Sequence, residues 1–340
     1  MGNTCRVNEY DLSRALAGVA GSLPPKAAAA ATARLIDHYR GETPTEAPVL
    51  RGRADVVAYA AYRMPATHAA ASAALRALAA RAPGWAPRTH LDIGGGTGAA
   101  AWAAAATWEG VASTVVDWAE PALALGRELA EAGGLSVRWT RGSLREGGAA
   151  LPRLPDADLV TVSYVLGELT ERDRRAAVAT AARAARGAVV LVEPGTPDGY
   201  LRIREARDAL VAAGLRVRAP CPHSGTCPIA VGEDWCHFAA RVSRSSLHRR
   251  VKGGELAYED EKFSYVAAVR EEAAAGEPAP ARVVRRPRTR KGQVLLELCG
   301  APERGLGRET VTKRHGAAYR AARKAEWGDA WEAGGGGAPG

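Results

Sequence analysis

The sequence predicts an α/β fold in which helices flank a mostly parallel, doubly wound sheet. From residue 88 onward, short apolar strands alternate with helical segments, and the first strand runs into a glycine-rich loop at Leu91–Gly98. This alternation is typical of a Rossmann-like sheet. The hydrophobic content of 47% is rich in alanine, which favours helices over a β-sandwich.

The elements can be placed in order along the chain. Strands are predicted at 91–93, 112–117, 135–139, 157–163 and 188–193, and two more at 262–269 and 293–298. In the N-terminal region, a helix beginning at Arg53 is expected to end at Met64, because the residue before a proline avoids the α conformation.

These elements divide the chain into five predicted parts. They are an N-terminal helical region (1–85), a Rossmann-like core (86–218), a cysteine-rich metal-binding insertion (219–260), C-terminal strands completing the sheet (261–300) and a basic helix with a flexible, glycine-rich tail (301–340).

The composition indicates a basic protein with a polyanionic partner. Lys and Arg number 46 against 37 Asp and Glu, giving a formal charge of +9. Most of these cations are arginine, which binds phosphate in a bidentate manner, although a GC-rich genome would also enrich arginine. No apolar stretch approaches the roughly 20 residues that cross a bilayer, and the first residues lack a signal-peptide pattern. We therefore expect a cytoplasmic monomer without membrane contact.

The loop after the first strand has the form G-x-G-x-G, with Asp92 before it. Its glycines are Gly94, Gly96 and Gly98. The third glycine is out of register for the dinucleotide pattern G-x-G-x-x-G, and no phosphate-loop lysine is present. The loop resembles that of class I methyltransferases, which indicates S-adenosylmethionine as the cofactor.

Other cofactor contacts follow from the same resemblance. Asp117 ends the second strand, where an acidic residue binds the ribose hydroxyls. The resemblance implies that Asp92 lies near the methionine part, Ser143 near the adenine and Ser163 near the transferred methyl group. Methyltransferases often have an acidic residue near the end of the third strand, and Gly142-Ser143 departs from that pattern.

Four cysteines in the last third of the chain suggest a metal centre. They are Cys221, Cys227, Cys236 and Cys299. Four thiolates suit an iron–sulfur cluster or tetrahedral zinc. The wide spacing, without a C-x-x-C pair, favours a cluster, while four buried free cysteines remain the alternative. His223 and His237 are candidate substitute ligands or neighbours.

Several motifs resemble one family. They are Tyr59–Thr67, Leu91–Gly98, Ser163–Leu169, Val192–Pro197, Pro220–His223, Asp234–Phe238 and Lys262–Tyr265. Together they are similar to the small-ribosomal-subunit methyltransferase-like family, which has mitochondrial and bacterial members. The resemblance implies a class I methyltransferase fold, a [4Fe-4S] cluster bound by the four cysteines, and action on the small ribosomal subunit and its rRNA.

Three basic stretches near the cysteines are candidate RNA-binding segments. They span 241–252, 282–291 and 313–324, the last predicted as a helix, and a solvated charged face is the alternative. The candidate RNA-binding residues are Arg244, Arg249, Arg250, Arg285, Arg286, Lys313, Arg314, Arg320 and Lys324. Such runs bind phosphates in a salt-dependent, sequence-independent way.

No general base can be assigned from the sequence. The tetrapeptide Asn-Pro-Pro-Tyr is absent, and Glu168 and Glu193 either line the substrate side of the pocket or cap strand ends. Two functions remain open: an S-adenosylmethionine-dependent RNA methyltransferase, with zinc or a cluster, and a non-catalytic small-subunit assembly factor that keeps the cofactor pocket. A small-molecule methyltransferase is disfavoured by the basic segments and the cysteine-rich insertion.

Overall fold

The computed structural model describes residues 9–20, 52–144, 154–243, 258–273 and 276–332. Two sheets are present in this part of the chain. The helices are α1 (Glu9–Ala20), α2 (Arg53–Ala79), α3 (Ala99–Thr107), α4 (Glu120–Ala132), α5 (Glu171–Ala184), α6 (Pro197–Ala212) and α7 (Ala317–Ala322). No helix among these residues is both long and apolar enough to cross a membrane.

The main sheet contains eight strands. They are β1 (Thr89–Ile93), β2 (Ala112–Asp117), β3 (Val137–Arg141), β4 (Ala157–Ser163), β5 (Ala185–Pro194), β6 (Arg216–Ala219), β7 (Phe238–Ser243) and β8 (Tyr258–Val269). Their order is β3-β2-β1-β4-β5-β8-β6, and β7 pairs with β8 outside this path. The first five strands are parallel, whereas β8 runs antiparallel to its neighbours. This is the class I methyltransferase strand order, with one antiparallel strand between β5 and β6.

Two apolar layers cover the faces of this sheet. One layer packs α5 and α6 against β1, β4 and β5. The other layer packs α2 and α3 against the opposite face, on strands β4, β5 and β8. Because both faces are covered, central strands such as β5 are buried at almost every position and apolar from Ala188 to Val192.

Helix α2 continues through Pro65, so the expected end at Met64 is wrong. A proline inside a helix removes one backbone hydrogen bond and costs roughly 3 kcal/mol. Met64 and Ala66 on either side of it are each 1% exposed. We attribute the continuity to burial, since α2 packs against α3, β7 and β8 along its length.

The second sheet is built from the C-terminal residues. Its strands are β9 (Ala281–Val283), β10 (Arg288–Arg290), β11 (Gln293–Gly300), β12 (Leu306–Thr312) and β13 (Ala330–Trp331). Strand β11 lies at its centre, between β12 on one side and β9 and β10 on the other. The predicted part 261–300 is thus divided between the sheets: most of β8 belongs to it and lies in the main sheet, whereas β9, β10 and β11 belong to the second sheet.

The basic segment 313–324 is not one helix, contrary to expectation. Lys313–His315 forms a 3₁₀ turn, and α7 begins only after Gly316. Gly316 has φ 52°, a left-handed conformation that interrupts an α-helix. The glycine-rich tail beyond residue 332 lies outside the described residues.

Candidate functional site

The glycine-rich loop joins β1 to α3 and contains the predicted cofactor residues. Gly94, Gly96 and Gly98 have φ values of 69°, 53° and 85°, which strongly favour glycine. A Cβ on Gly94 would lie 2.8 Å from Val165, and one on Gly98 would lie 2.7 Å from Trp139. A Cβ on Gly96 would have Asp117 Oδ2 as its nearest neighbour, 4.0 Å away. Open space for a ligand therefore adjoins Gly96.

Asp117 is held against this loop at the end of β2. The Gly96 N–H donates to Oδ2 at 2.9 Å, and the Ala119 N–H donates to Oδ1 at 2.8 Å. Trp118 donates a third backbone hydrogen bond, which leaves this carboxylate one acceptor position for a further donor such as a hydroxyl group. The Gly142 N–H donates to the Asp117 carbonyl at 2.9 Å, which brings half-buried Ser143 near this strand end.

Asp92 lies beneath the loop, fully buried. Its Oδ1 accepts a hydrogen bond from Thr161 Oγ1 at 2.7 Å, while Oδ2 has no partner among the described residues. Burial raises the pKa of Asp92 to about 7. A side chain on Gly95 would collide with Oδ2, so the loop closes directly over this carboxyl group.

A buried polar chain continues from Asp92 across the sheet. Thr161 Oγ1 lies 2.8 Å from His90 Nε2, and His90 Nδ1 lies 3.0 Å from Ser113 Oγ. Burial lowers the pKa of His90 to about 3, so the ring is neutral. His90 and Thr161 were not predicted as site residues, although a polar residue inside an apolar strand is a usable signal.

The end of β4 has an unusual backbone. Ser163 Oγ is buried without a partner among the described residues, and Tyr164 has φ 60°, the left-handed region. The Tyr164 hydroxyl donates to Glu261 Oε1 at 3.0 Å, and Arg63 Nη2 lies 3.2 Å from the same oxygen. The Arg63 guanidinium carbon also lies 5.4 Å from the Tyr164 ring centre. This network holds Tyr164 in a strained conformation.

Glu193 positions the segment after β4. Its Oε1 accepts from the Leu166 N–H at 3.0 Å, and its Oε2 accepts from Arg202 Nε at 2.7 Å. Both oxygens therefore have protein partners. Glu168 is exposed on the short 3₁₀ turn Leu166–Glu168.

The four predicted metal-binding cysteines line one small cavity. Cys221 and Cys227 follow β6, Cys236 precedes β7, and Cys299 comes from β11 of the second sheet. The cavity volume is about 40 Å³. Burial raises the pKa of the Cys221 and Cys236 thiols, and raises that of Cys299 to about 12.

Buried cations and a hydroxyl group surround these sulfurs. The Arg207 guanidinium donates to the carbonyl oxygen of His223 at 3.0 Å, and Arg282 Nε donates to that of Pro220 at 2.8 Å. Both arginines are at least 96% buried. The Tyr200 hydroxyl lies 3.4 Å from Cys227 Sγ. The cavity therefore favours an anionic occupant.

The two histidines near the cysteines differ in position. His223 lines the cavity, and neither of its ring nitrogens has a hydrogen-bond partner in the part of the chain described. His237 instead packs between Trp235 and Trp327, with ring-centre distances of 5.1 and 4.8 Å. Among the described residues, no group of three or more His, Cys, Asp or Glu side chains could hold a single metal ion.

The candidate RNA-binding residues divide into three groups. Arg244, Arg249 and Arg250 lie outside the described residues. Arg285 forms an ion pair with Asp234 and donates to the carbonyl oxygens of Val284 and Trp235. The remaining five are exposed: Arg286, Lys313, Arg314, Arg320 and Lys324.

Comparison with known proteins identifies relatives. Residues 53–332 match the family described as mitochondrial small ribosomal subunit Rsm22. The human ribosome assembly protein METTL17, mitochondrial, is 32% identical over 291 residues, covering 80% of this chain and 61% of that protein. The Rsm22-cox11 tandem protein 2, mitochondrial, of Schizosaccharomyces pombe is 29% identical over 182 residues, covering 42% and 24%. The chain thus spans about three-fifths of METTL17 and a quarter of the tandem protein.

Solved structures resemble the fold more distantly. An O-methyltransferase family protein from Burkholderia thailandensis is 16% identical, with a TM-score of 0.42, covering 72% of this chain and 67% of that one. The fold assignment therefore depends on this chain's own strand order. The expected cytoplasmic location is wrong, because the matching family and both named relatives are mitochondrial. Since the family match includes both sheets and all four cysteines of the cavity, the chain belongs to the mitochondrial small ribosomal subunit Rsm22 family.

Proposed function

We propose that this chain is a small-ribosomal-subunit assembly factor that binds S-adenosylmethionine and a [4Fe-4S] cluster. METTL17 is named as a ribosome assembly protein, and the family name refers to the small ribosomal subunit. One observation carries the proposal: three cysteines from the segment between β6 and β7 and a fourth from β11 of the second sheet line the same cavity.

The spacing of the cysteines along the chain favours a cluster over zinc. Structural zinc sites usually contain cysteine pairs two to four residues apart, whereas Cys221 and Cys227 are separated by five residues and Cys227 and Cys236 by eight. A cluster binds each sulfur to a different iron, so it accepts more widely separated ligands. Arg207 and Arg282 would offset the negative charge of a thiolate-bound cluster.

Anaerobic purification with an iron count tests the metal proposal. We expect a brown protein with about four irons per chain. Cys227→Ser should lose most of the iron, whereas Thr226→Ala, an exposed neighbour, should retain it. A colourless wild-type chain containing one zinc would reject the cluster, and iron unaffected by Cys227→Ser would reject this ligand set.

The loop residues fit S-adenosylmethionine. The open space beside Gly96 adjoins the Asp117 carboxylate, which can accept a hydrogen bond from a ribose hydroxyl, and the buried Asp92 Oδ2 has no hydrogen-bond partner within the described ranges. The bound cofactor would supply an electrophilic methyl group. This chain's own contribution is to hold the nucleoside between Gly96 and Asp117.

Calorimetric titration with S-adenosylmethionine tests this pocket. Gly96→Asp should abolish binding by filling the open space with a second carboxylate. Gly110→Asp is the matched control, because Gly110 also has positive φ but no atom lies within 4 Å of its Cβ position. Equal binding by both variants would show that the cofactor does not bind here.

Co-sedimentation with small subunits tests the assembly role. We expect the full chain to pellet with immature small subunits, and Cys227→Ser to pellet less while retaining the Rossmann-like core. Undiminished association of an iron-free Cys227→Ser variant would separate the metal centre from subunit binding and reject its proposed structural role.

An RNA methyltransferase is the second candidate function. Ser163 Oγ at the end of β4, which no described residue hydrogen-bonds, favours it, because that strand end is where a methyl acceptor would meet the cofactor. Against it, Tyr164 and Glu193 are bound within the protein. Transfer of labelled methyl groups to small-subunit RNA, lost with Gly96→Asp, would favour the enzyme. Its absence with intact cofactor binding would favour the assembly factor.

A further inference from the structure

The second sheet has one packed face and one open face. Along β11, Val294, Leu296 and Leu298 are buried in a core with Trp331. Side chains alternate between the two faces of a strand. The side chains of Gln293, Leu295, Glu297 and Cys299 therefore share the opposite face, and all four are half-buried.

Strand register places arginines on this open face. Residues directly opposite in an antiparallel pair point to the same side. Arg290 and Thr312 therefore flank Gln293, Arg288 and Thr310 flank Leu295, and Arg308 lies opposite Glu297. Arg282 and Leu306 flank Cys299 in the last row, which adjoins the cysteine cavity. The face extends about 20 Å from Cys299 to Gln293 along the strand.

The open face has a net positive charge, and its outer arginine side chains are exposed to solvent. Arg288 pairs with Glu297 at 2.8 Å, yet 66% of its side chain is exposed. Arg290 and Arg308 are exposed and form no ion pair with any residue that the structure describes. The four charged residues of these outer rows sum to +2. Lys313 and Arg314 follow the end of β12 and add exposed positive charge.

We propose that this open face binds a single-stranded segment of RNA, a surface that deepens the proposed association with the small subunit. Arginine binds phosphate through two parallel N–H donors, and its plane stacks on unpaired bases. Gln293, Thr310 and Thr312 supply hydrogen-bonding groups between the arginines. Apolar area is exposed at one end of the face, where Leu306 is 44% exposed, while Leu295 in the middle is half-buried. The rows between Leu295 and Gln293 carry arginines and hydrogen-bonding side chains, and this composition favours a polyanion over an apolar protein surface.

Binding of a 12-nucleotide oligouridine to the full, iron-containing chain tests the proposal. The double variant Arg290→Gln, Arg308→Gln should weaken binding about tenfold at moderate salt. It should also reduce the slope of log K against log salt by about 1.4, the value for two lost single-strand contacts. The double variant Arg138→Gln, Arg172→Gln is the charge-matched control. Both arginines are exposed, and they lie in β3 and α5 of the Rossmann-like core rather than on the second sheet.

Three results would overturn the proposal. These are equal weakening by the two double variants, no detectable binding by wild type at low salt, and unchanged oligouridine affinity with lost subunit association. The last would assign the face to a protein partner. Iron content and S-adenosylmethionine binding are measured on the same samples. If the chain contains no iron and does not bind S-adenosylmethionine, the proposed function is rejected. If the Arg290→Gln, Arg308→Gln variant still binds oligouridine more weakly than wild type, the RNA-binding face is nevertheless supported.

Discussion

Asp92 makes the stability of the ligand-free chain depend on pH. Burial raises its pKa to about 7, whereas an unfolded aspartate titrates near 3.9. Between these values the folded chain binds the extra proton, so stability falls as pH rises from about 4 to 7. Asp92→Asn should remove this fall. Urea unfolding at pH 5, 6, 7 and 8 would measure it, and an unchanged slope in Asp92→Asn would contradict the assignment.

Asp158 offers a control of opposite sign. Burial alone would raise the pKa of Asp158, but the N–H groups of Arg88 and Thr89 and the Thr89 hydroxyl hold it below its ordinary value. Its contribution is present above the unfolded pKa and is lost as pH falls. Asp158→Asn should therefore leave the decline between pH 5 and 7 intact.

Arg285 and Arg286 should behave differently although they are adjacent. Arg285 is bound to Asp234 and to the Trp235 carbonyl, which ties the second sheet to the cysteine segment. Arg285→Gln should lower the melting temperature by about 2–4 °C, equivalent to roughly 1 kcal/mol. Arg286→Gln at an exposed position should leave it unchanged. Differential scanning calorimetry measures the melting temperatures of the two variants. Equal values would show that the Arg285 contacts do not stabilise the fold.

At the level of single residues, the candidate cofactor residues could be predicted because they lie close together in the sequence. The side-chain networks could not, because their members are far apart in the sequence. Asp92 and the three glycines lie within seven residues, so one motif predicts them. Tyr164 and Glu261 are 97 residues apart, and Arg63 and Glu261 are 198 apart. No local pattern reports such pairs, because only the folded sheet brings them together.

The Arg63, Glu261 and Tyr164 network joins three elements, α2, β8 and the end of β4. Tyr164→Phe removes one hydrogen bond and should cost about 1 kcal/mol. Glu261→Gln leaves the largely buried Arg63 unpaired, and should cost about 2 kcal/mol after allowance for partial exposure. Both free energies of unfolding can be measured in urea. A larger loss in Tyr164→Phe than in Glu261→Gln would contradict this ranking.

The same network should affect the cofactor loop. Val165 follows Tyr164 and contacts Gly94, so loss of the Tyr164 conformation would move one wall of the loop. We expect both variants to weaken S-adenosylmethionine binding several-fold, with Glu261→Gln the weaker binder. Asp260→Asn, on the same strand but paired with the exposed Arg241, is the control.

Secondary-structure elements were predicted correctly where their own sequence pattern defines them. Sheet membership and helix ends were not predicted where packing against other elements determines them. The strand at Gln293–Leu298 was expected from its apolar alternation, but alternation cannot state which sheet a strand joins. Strand β8 is buried at every position from Phe263 to Val269, as a central strand must be, whereas β11 alternates because one of its faces is open. Helix α2 passes Pro65 because tertiary packing outweighs local preference.

At the scale of the whole molecule, the two sheets of the described residues meet at the cysteine cavity. Three cysteines come from the segment between β6 and β7, and Cys299 comes from β11. Sequence spacing indicated four thiolates but could not show that Cys299 belongs to another sheet, since that depends on the pairing of β9 with β11. The direct contacts between these parts include Arg282 with Pro220 and Arg285 with Trp235.

A metal centre bound by all four sulfurs would couple the stabilities of the two sheets. With the centre intact, we expect a single cooperative unfolding transition. Removing it with a chelator under oxidising conditions should leave the polar contacts and the packing of Trp327 against His237 between the two parts, so that β9–β13 unfold before the Rossmann-like core. Hydrogen exchange of β11 amides should accelerate at least tenfold, while that of β4 amides changes little.

Cys299→Ser should reproduce the behaviour of the chelated protein, whereas Cys5→Ser, outside the described residues and outside the ligand set, should behave as wild type. Equal acceleration in both sheets would instead show that the centre stabilises the molecule as one unit, and no acceleration in either would place the metal elsewhere.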